Sequence, residues 1–164
     1  MKAKLFLVVV LFVLAQPIQA QIKDLLPIKV GIGAVAGVPV ADATDFFNSV
    51  FGVDLQGEFY VIPSFALTLS AGYVEFSKKS GVTGNSGLIP VLGGVKYFFS
   101  DKVYGSAQAG LSVAASGDAG STFTFAPAIG YKLSNRFDLS LKYQSATKDG
   151  WNDAFLGLRV GLSF

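Results

Sequence analysis

The chain has 164 residues, of which 51 % are hydrophobic and only 15 % charged, with 19 Gly, 15 Phe, 6 Tyr and neither His nor Cys. The length fits one domain. The charged fraction is well below the roughly 25 % of soluble domains, and with a mean hydropathy of +0.51 it points to a membrane. Without His or Cys there is no Ser-His-Asp triad, no Cys nucleophile, no imidazole or thiolate metal site, no disulfide and no lipidated cysteine. The 13 basic and 11 acidic residues form no basic patch that calls for nucleic acid.

In chain order, residues 1–20 read as a cleaved signal peptide. Lys2 and Lys4 make a positive start, residues 5–15 an apolar stretch, and residues 16–20 a cleavage region ending in the small Ala20. The apolar stretch is about half the ~20 residues of a membrane helix. Loss of the leader leaves eleven basic and eleven acidic residues in the mature domain, residues 21–164.

The mature chain shows no long amphipathic helical pattern. Its signal is alternation of apolar with polar or small residues, the period of a strand. Eight segments carry it: residues 28–38, 53–62, 65–76, 88–99, 103–114, 122–133, 137–143 and 154–164. The last is the clearest: Leu156, Leu158, Val160, Leu162 and Phe164 share one face, and Gly157, Arg159, Gly161 and Ser163 share the other. Most segments have about the 9–11 residues with which a tilted strand crosses a bilayer.

The connections alternate in length. Residues 63–64, 100–102 and 134–136 are tight turns of turn-forming residues, while residues 39–52, 77–87, 115–121 and 145–153 read as longer loops. Short turns at one end and long loops at the other are the pattern of an outer-membrane barrel with its turns in the periplasm. The reading is all-β: an eight-stranded antiparallel up-and-down transmembrane barrel, closed because backbone groups in hydrocarbon must pair internally.

Lys29, Asp54, Glu58, Lys96, Lys132, Asp138, Lys142 and Arg159 fall on the face opposite the aliphatic stripes. They are expected to line the lumen as linked salt bridges with trapped water. Aromatic residues near the strand ends are expected to form two interfacial girdles: Phe59, Phe65, Tyr97 to Phe99, Tyr131, Phe137 and Phe164 at the turns, and Tyr73, Phe76, Phe123, Tyr143, Trp151 and Phe155 toward the loops. Phe46, Phe47, Phe51 and Trp151 fall in the expected loops and are candidate contacts for a partner outside. Asp42, Asp45 and Asp54 lack EF-hand spacing, so no metal or other cofactor is expected.

The leader, the eight alternating segments and the end Leu158-Arg159-Val160-Gly161-Leu162-Ser163-Phe164 resemble the small eight-stranded outer-membrane barrels of Gram-negative bacteria, of the OmpX and OmpA-transmembrane-domain type. The resemblance implies that Leu158, Val160, Leu162 and the terminal Phe164 form the signal read by the barrel-assembly machinery. It implies an outer-membrane location and a non-enzymatic surface role in adhesion or envelope defence, toward an unknown partner. A narrow porin-like pathway is the alternative, and a soluble lipocalin-like carrier a lesser one. Outer-membrane acyltransferase and deacylase barrels use Ser-His chemistry, which a chain without His does not have.

Overall fold

The computed structural model describes residues 28–79, 87–115, 120–148 and 150–164; the expected leader lies outside them. The strands are β1 (Ile28–Ala41), β2 (Phe47–Ile62), β3 (Phe65–Lys78), β4 (Gly87–Phe98), β5 (Val103–Ala114), β6 (Ser121–Lys132), β7 (Phe137–Lys148) and β8 (Trp151–Ser163). Each pairs antiparallel with the next, and β1 pairs with β8, so the sheet closes into a barrel in simple chain order. The turns β4–β5 and β6–β7 use the same device. The Ser100 hydroxyl accepts from the amides of Lys102 and Val103 (3.4 and 3.1 Å), and the Ser134 hydroxyl from those of Arg136 and Phe137 (3.2 and 3.0 Å).

Every second side chain faces out. On β8 Leu158 is 56 % exposed and its neighbour Arg159 is 7 %. Among the described residues the outward series of the strands carries a single charged residue, Glu75, toward the loop end of β3, where Tyr73 donates a hydrogen bond to it. Phe59, Tyr97, Phe99, Tyr131, Phe137 and Phe164 are exposed at the turn end, and Phe51, Tyr73, Phe123 and Phe125 toward the loop end. Three expected girdle members are instead inside: Phe98, Phe76 and Phe155 are at most 7 % exposed. Each occupies an inward position of its strand, and that parity outweighs nearness to a strand end.

The expected first loop, residues 39–52, is mostly strand. β1 runs to Ala41 and β2 starts at Phe47, leaving one 3₁₀ turn at Asp42–Asp45 and Phe46 between them. Residues 145–148 likewise extend β7, and β8 begins at Trp151. Pro39 and the polar residues after it read as loop formers, but pairing with β8 holds Pro39 in the sheet, opposite Phe155. Three strand prolines follow one rule. Beyond Gly37, β1 has no ladder to β2, so Pro39 pairs with β8 alone. The β3–β4 ladder skips from Ala71–Val91 to Val74–Leu88 at Pro90, and the β6–β7 ladder from Phe125–Ser145 to Ala128–Lys142 at Pro127. A residue without an N–H leaves its gap in one ladder and keeps the other.

A cation on the outer face opposes this design. Leu158→Lys is expected to destabilise the folded barrel by about 2–4 kcal/mol. The measurement is the urea midpoint of the fast-migrating folded band on unheated gels in lipid.

Candidate functional site

The lumen is layered. Its turn-side half is ionic. Arg159 of β8 grips Asp54 of β2 with Nε to Oδ2 at 2.8 Å and Nη2 to Oδ1 at 2.5 Å, and its Nη1 lies 3.7 Å from Asp138 of β7. The Tyr104 hydroxyl of β5 donates to Asp138 at 2.5 Å. Lys96 of β4 pairs with Glu58 of β2 at 2.6 Å, and Glu58 also accepts from Tyr60 at 2.7 Å and Gln56 at 3.1 Å. These ionic side chains are at most about one-tenth exposed. Charge-assisted bonds of this kind offset the desolvation of each ion only when its remaining lone pairs are filled as well.

Several of these bridges skip a strand and pass over a glycine. Arg159 crosses β1 at Gly33, where a methyl group would overlap the guanidinium; Gly33 itself lies opposite Asp54 in the ladder. Tyr104 crosses β6 at Gly130, where a methyl would overlap the phenol ring, to reach Asp138. Gln108 of β5 crosses β4 at Gly94, which faces both Gln108 and Thr68, and donates to the Thr68 hydroxyl at 3.1 Å. A missing side chain in the middle strand leaves the lumen width that long polar side chains need.

Of the eight charges expected in the lumen, Asp54, Asp138 and Arg159 form one cluster and Glu58 and Lys96 a pair. Lys29 lies over the Tyr60 ring at 5.4 Å, and Lys132 over the Phe98 ring at 3.9 Å. These are cation–π contacts at the turn-side mouth. Lys142 has neither an ion-pair nor a hydrogen-bond partner among the described residues. It lines a small cavity of ≈ 20 Å³ with Asp54, Ser70, Tyr104, Gln108 and Arg159. Tyr60, Tyr104, Gln56 and Gln108 were not singled out from sequence, although each holds an inward position on a recognised strand.

The loop-side half is apolar. Val35, Val50, Val74, Phe76 and Phe155 are all at most 6 % exposed and pack with Ala43 of the 3₁₀ turn, and Phe47 and Leu88 lie against them. Phe76 meets Phe155 edge-on at 6.0 Å, and Phe47 meets Phe76 at 5.1 Å. At the turn end Tyr60, Ala66, Phe98 and Tyr104 form a second cluster. An apolar layer and an aromatic layer thus bracket the ionic one.

The expected loop contacts divide. Phe46 follows the 3₁₀ turn and is exposed. Phe47, Phe51 and Trp151 stand in strands, not loops. Phe47 faces the apolar layer and Phe51 the outside, while Trp151 pairs with Lys148 at the start of β8. Of the expected assembly signal, Leu158, Val160 and Phe164 are exposed and Leu162 half-buried, and the Phe164 amide donates to the Val30 carbonyl at 2.8 Å.

Three solved barrels superpose on nearly their whole length. The attachment invasion locus protein Ail of Yersinia pestis is 12 % identical with a TM-score of 0.61, covering 84 % of this chain and 97 % of its own. The N-terminal β-barrel domain of Pseudomonas aeruginosa OprF is 17 % identical with a TM-score of 0.57, covering 83 % and 97 %. Neisserial surface protein A is 13 % identical with a TM-score of 0.54, covering 84 % and 97 %. This chain has the fold of the small eight-stranded outer-membrane barrels. No protein-family model matches the sequence, and no curated protein matches it.

Arg159→Met leaves two carboxylates without their cation in the lumen. It is expected to destabilise the barrel by about 3–5 kcal/mol, read as a lower urea midpoint in lipid.

Proposed function

We propose that the protein is a non-enzymatic surface barrel of the outer membrane, anchored by its strands and presenting the loop end to partners outside, in adhesion or envelope defence. The observation that carries this reading is the bracketed lumen. With Val50 at 0 % and Phe155 at 1 % exposure across the loop-side layer, the bore is filled with side chains, as expected for eight strands. That favours an anchor over the narrow porin-like pathway. The aliphatic exterior and charged interior are the reverse of what a soluble carrier of an apolar ligand needs, which weighs against the lipocalin-like reading. Ail, which shares the fold, has been solved in complex with the heparin analogue sucrose octasulfate, which supports searching for the partner at the exposed end. Phe46 is the candidate contact residue there, with the barrel-assembly machinery and the lipid bilayer as partners of the remainder.

The chain contains no cysteine, so single thiols report orientation cleanly. Phe46→Cys is expected to react with a membrane-impermeant maleimide on intact cells, and Asn135→Cys, in the opposite turn, only after the outer membrane is permeabilised. The reverse pattern overturns the reading. Separately, the purified protein in planar bilayers is expected to be silent; steady single-channel steps would favour the solute pathway instead.

A further inference from the structure

The lumen holds five basic side chains against three carboxylates, and the surplus sits in one place. Arg159 and Lys142 share a cavity wall with Asp54, and with Asp54 and Asp138 they make a balanced group. Lys96 and Glu58 balance each other. The two charges left over are Lys29 of β1 and Lys132 of β6, at the turn-side mouth. Each stands opposite a carboxylate in the ladder, Lys29 opposite Glu58 and Lys132 opposite Asp138. Neither is paired with it. Glu58 is engaged by Lys96, Tyr60 and Gln56, and Asp138 by Tyr104 and Arg159. The two ammoniums rest instead on aromatic faces. Lys29 lies 5.4 Å and Lys132 5.9 Å from the centre of the same Tyr60 ring, and Lys132 lies 3.9 Å from that of Phe98. The rings are buried and the lysines half-buried, so both charges are held in place yet reached by water. Around the mouth the turns add Lys102 and Arg136 against Asp101, all exposed. The carboxylate of Phe164, whose amide is bonded to the Val30 carbonyl, pairs with neither lysine.

We propose that this mouth is a binding site for a phosphate group, held by the ammoniums of Lys29 and Lys132. A phosphate monoester carries roughly two negative charges at neutral pH, which matches the two charges left over. Lysine meets such a group as a point charge with three donors. The aromatic faces place both ammoniums in advance without spending their N–H donors on a carboxylate. Lys102 and Arg136 add an attractive field for anions approaching the turn end. Both site lysines hold inward positions on their strands, so the ligand enters along the barrel axis. The site is independent of any partner at the loops.

The test titrates inorganic phosphate into the full mature protein in a phosphate-free maltoside micelle, at constant ionic strength, and reads the heat of binding. Saturable binding is expected for phosphate and none for chloride. Lys29→Gln and Lys132→Gln are each expected to weaken it about tenfold or more, and the double variant to abolish it. Lys79→Gln, at the loop end, binds as the wild type does. Should Lys132→Gln not fold, Lys132→Met keeps the stem on the Phe98 ring without the charge. Native mass spectrometry after extraction from phosphatidylglycerol bilayers separates the two sources of the group. A phospholipid retained by the wild type and lost from the double variant assigns a lipid headgroup; an empty wild type that still binds inorganic phosphate assigns a soluble one. Absence of both signals overturns the proposal. So does phosphate binding of equal strength in the wild type and the double variant, or a crystal structure with Lys29 paired to Glu58 and Lys132 to Asp138.

Discussion

In hydrocarbon a peptide group has only other peptide groups to bond, and a sheet with free edges leaves two rows of them unpaired. Closure of β1 onto β8 answers that constraint, and the rest of the molecule is arranged around it. Closure fixes which side chains meet lipid and which meet one another. It also makes a proline expensive, because in a closed sheet the N–H of every strand residue is directed at a neighbouring strand. Pro39, Pro90 and Pro127 each stand at a break in one ladder while the other ladder continues.

Closing only eight strands makes a narrow interior, and its filling follows from the width. Long polar side chains, charged and neutral, do not all reach a direct neighbour at good distance, so several reach past one strand to the next. Gly33, Gly94 and Gly130 clear the way. Where no ion is placed, valine and phenylalanine fill the space at the loop end, and the short 3₁₀ turn lends Ala43 to the same layer. The result is a rigid post: little free volume, a polar band locked by directional bonds and an apolar band packed above it.

Much of this was legible in the residues. The eight strands, the three tight turns and the inward placement of Lys96, Lys142 and Arg159 follow from alternation alone, because side-chain direction in a strand has a period of two. What alternation does not reveal is who meets whom. The partnership of Arg159 with Asp54, or Tyr104 with Asp138, depends on the stagger between strands, which no local pattern encodes. The loop-end layer was missed for a related reason. Phe76 and Phe155 are aromatic and near strand ends, so they resembled girdle residues until their parity was weighed. The lengths of β1 and β2 were also underestimated: Pro39, Asn48 and Ser49 carry turn character, and long-range pairing with β8 and β3 overrode it.

The bond between Arg159 and Asp54 joins the last strand to the second across the first. It therefore exists only once the two ends of the sheet have come together, and only in one alignment. A slide of two residues between β1 and β8 keeps every outward side chain outward, so lipid does not penalise it. The same slide carries the guanidinium away from Gly33 and onto a position where its partner is out of reach. The ion pair thus acts as a latch that discriminates the right alignment from the nearest wrong one, a choice in which hydrophobicity has no vote.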